Sequence, residues 1–203
     1  MQKYLYRYKY VKDCEAACAM LSDLVDHCDE DSKLYYEPVI PLIMDFINIK
    51  ELKHVTIFIF GLLVEKNYKL FNQYKDKIID ALIKVGSETR SSSRAHNAEI
   101  VNAILGLGKL IINHYDTVDL DKIMSIWLSN MPAQVDEKKN TLSQFIYFFK
   151  ENTPKPIIQA LASQDFTKIQ RIIEEMGVVI EETKGGTLEF QTIVKRILSQ
   201  YKQ

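Results

Sequence analysis

The chain has 203 residues, of which 47% are hydrophobic, so it can bury a substantial core in one domain or in several stacked repeats. Its 7 Gly and 5 Pro leave few obligatory turns, and the interspersed charged residues are typical of amphipathic helices. The net charge of −1 provides no global field that attracts polyanions, which disfavours direct nucleic-acid binding.

The first predicted element is a helix, followed by a second helix that begins near two prolines. Pro38 and Pro41 open this second apolar run, which continues to Ile47. Together the two segments predict an antiparallel helix pair. The apolar residues that recur at helical spacing in the first helix are Ala16, Ala17, Met20, Leu21, Leu24 and Val25.

The second predicted pair comprises Glu51–Lys66 and Leu70–Val85, with Asn67 and Tyr68 between the helices and Gly86 as a stop. Residues 55–60 are rich in strand formers and would also suit a buried β-strand. We interpret them as helical because helical runs continue on both sides without a hairpin signal. The apolar run is about half of the roughly 20 residues that a membrane-spanning helix needs, so a buried helix is predicted.

The third predicted pair comprises Arg94–His114 and Leu120–Ser129, with Asp116 and Asp119 as candidate caps of the second helix. Gly106 and Gly108 lie inside the first of these helices, where small residues permit the close approach of a neighbouring helix. Pro154 and Pro156 mark a later break, and a Gly185-Gly186 turn is predicted near the end of the chain. The further helices predicted are Asp136–Asn152, Ile157–Ala162, Phe166–Glu182 and Leu188–Tyr201.

The predicted pairs recur at a regular interval. Comparable core positions in the first helices are Leu24, Val64, Leu110 and Phe149, which are separated by 40, 46 and 39 residues. HEAT repeats have periods of about 40 to 47 residues. A single helix pair cannot bury both apolar faces, so such pairs stack on one another. The sequence therefore predicts an all-α HEAT-repeat α-solenoid, a right-handed superhelical stack of about four to five antiparallel helix pairs over residues 1–203.

The sequence contains no recognisable arrangement for catalysis or for a resident metal or cofactor. Phosphate-binding glycine loops, nucleophile elbows and zinc-protease motifs are missing, and the four histidines are scattered as structural or surface residues. Cys14, Cys18, His27 and Cys28 offer zinc-type ligands, but their spacing matches no familiar zinc motif. We predict that Cys14 and Cys18 pack inside the first helix pair, that no cofactor is bound, and that the protein is not an enzyme.

Two charged segments allow more than one interpretation. The acidic group between Asp23 and Asp31 could attract a basic partner, although a solvated turn is the favoured interpretation. The segment from Gly86 to Arg94, with Arg90 and four serines, could bind an anion or carry a phosphate, although a connection between repeats is favoured.

Several strings resemble one protein family in the same order along the chain. Ala19–Cys28 is similar to the family's first-helix ending D-x-[IV]-E-H-C, with Asp26 in place of Glu, and Tyr35–Leu42 is similar to the next helix start. The family's helix motif N-A-x-E-N-x-x-x-A-[IV]-G-[KR] is resembled by Asn97-Ala98-Glu99, Ala103-Ile104 and Gly108-Lys109. Its motif x-W-L-x-x-L-P-x-x-x-D-x-x-E is resembled by Ile126–Pro132 followed by Asp136-Glu137. The family is that of the importin-β (karyopherin-β) transport receptors, nearest the karyopherin beta-3 branch. The resemblance covers Val11–Asn152.

This resemblance implies a superhelical receptor that binds basic protein cargo on its concave surface and shuttles between cytoplasm and nucleus through the nuclear pore. Such receptors contact Phe-Gly nucleoporins and bind Ran-GTP at amino-terminal repeats, which we expect to be missing from this carboxyl-terminal segment. In the family the second helix of each pair lines the inner face. The cargo-binding candidates implied in this way are Glu37, Asp45, Asp76, Asp80, Asp119 and Asp121.

Trp127 and the ends of the stack leave alternatives open. An indole in a groove could hold the aliphatic part of Lys or Arg, but a lone Trp between Ile126 and Leu128 favours a core position. An exposed terminal face predicts either a cover, such as the aromatic segment Tyr4–Tyr10, or self-association. The alternative function is that of a HEAT-type scaffold in another protein assembly, because the fold alone does not separate the two.

Overall fold

The computed structural model describes residues 11–28, 33–131, 144, 147–148, 153–165 and 167–172. Within these residues every regular element is a helix, which confirms the predicted all-α class. The chain divides into two compact units, Met1–Leu107 and Gly108–Gln203. The elements are α1 (Val11–His27), α2 (Lys33–Tyr36), a 3₁₀ turn (Glu37–Val39), α3 (Ile40–Phe46), α4 (Lys53–Lys66), α5 (Tyr68–Gly86), α6 (Arg94–His114), α7 (Leu120–Ser129) and α8 (Lys155–Ala162), and residues 167–172 are also helical.

The bounds of α6 and α7 agree with the sequence prediction. Helix α4 begins two residues later than predicted, at Lys53, α8 begins two residues earlier, at Lys155, and two further elements differ as well. The second helix of the first pair is interrupted by the 3₁₀ turn, which contains Pro38, and Pro41 lies in the first turn of α3. Proline lacks an N–H donor and is tolerated only at such helix starts. The fifth helix begins at Tyr68, so Asn67 alone connects α4 to α5. Several predictions fall wholly or mostly outside the described residues: the helices at 136–152, 166–182 and 188–201, the Gly185-Gly186 turn, the aromatic segment Tyr4–Tyr10 and the acids at 29–31.

Helix α4 is the central element of the first unit. Its apolar residues face neighbours in several directions, because α1, α3 and α5 all pack against it. A helix that is apolar all round is one that lies buried. This position explains the strand-like composition of residues 55–60, and the β-strand alternative for them is wrong. Thr56, the polar residue inside the run, donates its hydroxyl hydrogen to the Leu52 carbonyl at 2.8 Å.

Helices α1 and α4 run parallel, as shown by ion pairs at both ends. Glu15 near the start of α1 lies 3.3 Å from His54 near the start of α4. Asp26 near the end of α1 lies 3.3 Å from Lys66, the last residue of α4. The first helices of the first two predicted pairs therefore pack side by side in the same direction.

Helices α4 and α6 also run in the same direction. The Asn102 side chain donates to the His54 carbonyl at 3.2 Å, near the start of α4. One to two turns further along both helices, Gly61 and Gly106 bring the two backbones together. The close approach predicted for glycine in α6 is therefore confirmed at Gly106, and three successive first helices lie parallel.

Asn67 makes the sharp connection between α4 and α5 possible. Its side-chain oxygen accepts from the Leu70 N–H at 3.0 Å and so caps α5. Its side-chain nitrogen donates to the Tyr36 hydroxyl at 3.0 Å. Asn67 is 1% exposed, and these two bonds provide hydrogen-bond partners for both the oxygen and the nitrogen of its buried amide.

The Gly61–Gly106 contact predicts opposite effects of two alanine substitutions. A Cβ atom at Gly61 would lie 3.5 Å from the Gly106 Cα, an ordinary contact, so Gly61→Ala retains the packing and gains about 0.5–1 kcal/mol of helix propensity. A Cβ atom at Gly106 would lie 2.8 Å from Leu82 Cδ2, and Leu82 is fully buried. Overpacking then outweighs the propensity gain, and Gly106→Ala lowers the free energy of unfolding by about 1 kcal/mol. Urea denaturation measures both changes, and equal signs for the two variants would contradict this account.

The cysteines differ in environment, as their spacing predicted. Cys14 and Cys18 are buried on α1, whereas Cys28 is exposed. Burial raises the pKa of the Cys18 thiol to about 12, with further contributions from Cys14 and Glu15. Burial and the nearby Asp13 carboxylate also raise the pKa of Cys14. Because the thiolate is the reactive form, these two thiols are protonated and inert near neutral pH.

We expect one thiol of the native chain to react rapidly with Ellman's reagent at neutral pH, and two more to react only on unfolding. The rapid phase disappears in Cys28→Ser, which serves as the control. A second rapidly reacting thiol in the native protein would show that α1 does not bury Cys14 and Cys18 as described.

The second unit is built around Trp127 of α7, which is 0% exposed. Its ring lies edge-on to Phe148, with ring centroids 4.9 Å apart, and its indole N–H donates to Gln144 Oε1 at 3.4 Å. Helix α8 packs against α7. The core position favoured for Trp127 from the sequence is thus confirmed.

None of the helices in the described part of the chain has the length and apolar character needed to cross a bilayer.

Candidate functional site

A cleft of about 820 Å³ opens in the first unit between the α3–α4 connection, α5 and the start of α6. Its walls are mixed in charge. The basic lining residues are Lys50, Lys53 and Lys84, and the acidic ones are Glu51, Asp80 and Glu99, with His54 and His96 beside them.

Four charged or titratable side chains meet at one side of this cleft, and we call them the Lys53 cluster: Lys53, Glu88, His96 and Glu99. The Lys53 ammonium lies 3.1 Å from Glu88 Oε1 and 3.2 Å from Glu99 Oε2. His96 Nδ1 lies 3.5 Å from Glu88 Oε2 and 3.8 Å from Glu99 Oε2. One cation and one imidazole therefore face the same two carboxylates.

The members of the cluster come from three parts of the chain that local structure brings together. Lys53 is the first residue of α4, and Glu88 follows the end of α5. His96 and Glu99 are three residues apart on α6, which places them on one face of its first turns. The start of α6 is anchored because Ser93 Oγ accepts from the His96 N–H at 3.3 Å.

The loop that carries Glu88 is held by a second side chain from α6. Asn97 accepts from the Ser91 N–H at 2.9 Å and donates to the Ser91 carbonyl at 2.8 Å. These two hydrogen bonds hold the connection between α5 and α6, the segment that the sequence favoured as a connection between repeats. The loop therefore presents Glu88 and Thr89 to α6 in a defined geometry.

Burial and hydrogen bonding act in opposite directions on Lys53. Burial alone lowers the pKa of its ammonium, but hydrogen bonds to Glu88 and Glu99 and the charges of both carboxylates raise the pKa above its ordinary value overall. Because the pKa of Lys53 is higher in the folded state, its charge stabilises the folded protein fully at pH values below its pKa in the unfolded chain. This stabilisation is lost only as the pH rises through its pKa in the folded protein. Lys53 is therefore charged in this cluster across the neutral range.

The burial of Glu99 distinguishes this cluster from surface ion pairs. The Glu99 side chain is 9% exposed, whereas those of Lys53, His96 and Glu88 are 22%, 28% and 29% exposed. A carboxylate buried to this extent requires compensating partners. Lys53 supplies one such partner, with its ammonium 3.2 Å from Glu99 Oε2.

The search for related families returned no match, so no protein-family model describes this chain.

The structure places the six cargo-binding candidates in different settings. Three of them, Asp45 on α3 and Asp76 and Asp80 on α5, are exposed and form no ion pair with any residue in the described ranges. Asp80 lines the cleft, and Asp76 lies one helical turn before it on the same face.

The other candidates already have partners. Glu37 lies in the 3₁₀ turn, 3.9 Å from the Lys69 ammonium. Asp119 caps α7 by accepting from the Lys122 N–H at 3.2 Å, as its position predicted. Asp121 accepts from the Ser163 hydroxyl at 3.2 Å. Asp119 and Asp121 belong to the second unit, and the other four acids belong to the first.

The Lys53 cluster was missed in the sequence, where the four histidines were interpreted as isolated. A local signal was present, because Glu99 directly precedes the buried Ile100 and lies one turn before the buried Ala103. A charged residue on the apolar side of a helix requires a partner. The partners Lys53 and Glu88 come from distant positions, which no local pattern identifies.

Proposed function

We propose that this chain is a HEAT-type helical-repeat module of an importin-β-like transport receptor and that it binds a basic segment of a protein cargo. The observation that carries the proposal is the parallel alignment of α1, α4 and α6, the first helices of three successive predicted pairs. Stacked repeats place equivalent helices side by side in this way. The ordered family-like strings in the same region support the same assignment.

The second helices supply acids suited to a basic partner. Asp76 and Asp80 of α5 project from one face into and beside the cleft, and Asp45 lies at the end of α3. Exposed carboxylates without ion pairs in the described structure can bind Lys or Arg at little desolvation cost. The aliphatic parts of those side chains would contact Ile47 and Ala81 in the same cleft. Binding by exposed charges weakens as salt rises.

We expect a Lys- and Arg-rich peptide to bind the full chain in titration calorimetry and to bind more weakly when salt is raised from low to physiological concentration. The double variant Asp76→Asn/Asp80→Asn weakens binding about five-fold, or about 1 kcal/mol, since exposed ion pairs contribute about 0.2–1 kcal/mol each. Asp13→Asn, which removes an exposed acid from a first helix, is the matched control and leaves the affinity unchanged.

Two outcomes would count against the proposal. Equal losses in the double variant and in Asp13→Asn would indicate non-specific charge attraction instead of a surface formed by second helices. An absence of binding to basic peptides, with the helical circular-dichroism spectrum intact, would favour the scaffold of another protein assembly.

A further inference from the structure

Three potential metal-ligand atoms converge in the Lys53 cluster. One side-chain nitrogen or oxygen from each of Glu88, His96 and Glu99 lies within 4.8 Å of the other two. The individual distances from His96 Nδ1 are 3.5 Å to Glu88 Oε2 and 3.8 Å to Glu99 Oε2. These atoms come from a loop and from one face of α6, so their convergence depends on the tertiary fold.

The orientation of the His96 ring indicates which of its two nitrogens carries a hydrogen and which has a lone pair. The other ring nitrogen, Nε2, lies 3.1 Å from the Thr89 carbonyl oxygen. A carbonyl only accepts hydrogen bonds, so Nε2 carries a hydrogen and donates it. In the neutral ring Nδ1 then directs a lone pair at two carboxylate oxygens. That arrangement is repulsive unless a cation or a proton lies between them.

The geometry around Nδ1 suits a divalent ion of the zinc class. Two tetrahedral ligands at zinc distances of about 2.0–2.1 Å lie about 3.4 Å from each other. The two separations from His96 Nδ1, 3.5 and 3.8 Å, require shifts of only a few tenths of an ångström, and all three ligand atoms lie within 4.8 Å of one another. Metal-binding histidines commonly donate their other N–H to a backbone carbonyl, as His96 does to Thr89. An imidazole ligand favours zinc or cobalt over magnesium or calcium, which prefer oxygen ligands.

We propose that Glu88, His96 and Glu99 form a binding site for a divalent cation of the zinc class. Lys53 sets the strength of that site. Its ammonium contacts both carboxylates and balances one of their two negative charges, so one charge is left for an incoming ion. The ammonium also repels a dication a few ångströms away, which limits the affinity. The ion would tie the loop after α5 to α6.

The test uses the full chain, stripped with a chelator and titrated with Zn²⁺ by calorimetry and with Co²⁺ by visible absorption. Cys28→Ser is the background in every sample, because the exposed Cys28 thiol beside His27 could capture the ion elsewhere. We expect one ion per chain and a cobalt spectrum without thiolate charge-transfer bands. His96→Ala and Glu99→Gln each weaken binding more than about ten-fold.

Two further variants make the result specific. His54→Ala removes another histidine that lies beside a carboxylate, 3.3 Å from Glu15, and it retains full binding. Lys53→Met strengthens binding, because it removes a competing positive charge. Where His96→Ala fails to fold, Glu88→Gln replaces it and also weakens binding more than about ten-fold. Absence of binding, binding that survives Glu99→Gln, or a Lys53→Met variant that binds more weakly would overturn the proposal.

Discussion

Replacing Trp127 by alanine is expected to lower the free energy of unfolding by about 3–5 kcal/mol, the range for large aromatic residues in a core. The indole is fully buried, stacks edge-on against Phe148 and donates a hydrogen bond to Gln144. Its removal leaves a cavity and an amide that has lost a partner. Guanidinium denaturation followed by circular dichroism measures the loss.

Two comparisons separate this core role from a role in ligand binding. Trp127→Phe keeps an aromatic ring and is expected to lose clearly less stability than Trp127→Ala. Phe58→Ala removes an aromatic residue that is 41% exposed on α4, and it has a smaller effect than Trp127→Ala. A Trp127→Ala variant of wild-type stability would contradict the core position of the indole.

Lys53→Met is expected to destabilise the metal-free protein by about 3 kcal/mol, because removing one partner of a buried charge pair leaves the other uncompensated. Glu99 bears most of this effect, since its side chain is 9% exposed and only 3.2 Å from the Lys53 ammonium. The isosteric Met retains the aliphatic packing of the lysine stem. Urea denaturation in the presence of a chelator measures the change.

The matched control is Lys69→Met. Lys69 is 79% exposed and lies 3.9 Å from Glu37, so its pair contributes little and its removal changes stability by less than about 0.5 kcal/mol. The double variant Lys53→Met/Glu99→Gln should recover part of the loss, because the unpaired buried charge is gone. A double variant as unstable as the sum of the single ones would mean that Lys53 and Glu99 act independently.

Periodicity predicted most of the helices because their packing follows local pattern. In α6 and α7, apolar residues at helical spacing and Asp119 as a cap set bounds that the structure confirms, whereas α8 begins at Lys155, two residues before the predicted start. The interruption at Glu37–Val39 was not predicted, since apolar residues continue through it and only Pro38 signals a break. Residues 55–60 required an interpretation from their flanks, because a stretch that is apolar on every face has no polar face to reveal its period, even though Phe58 is 41% exposed.

The candidate sites were less accessible to sequence reasoning than the fold. His96 and Glu99 lie one helical turn apart on α6. Lys53 and Glu88 reach them only because α4, α5 and α6 pack together. Among the acids named from the family resemblance, Asp119 caps a helix and Glu37 faces a lysine. An acid's position in the chain does not tell whether it is free to bind a partner or already serves the fold.

The position of α4 has a consequence for how the first unit opens. Helices α1, α3 and α5 all pack on α4, and α6 touches it at Gly61. If one of them detached, it would expose apolar surface that the remaining neighbours cannot cover. We therefore expect the first unit to open as one cooperative foldon and not one helix pair at a time. The amide hydrogens of α4 are then expected to be among the slowest in the unit to exchange with solvent, and to exchange only when the whole unit unfolds.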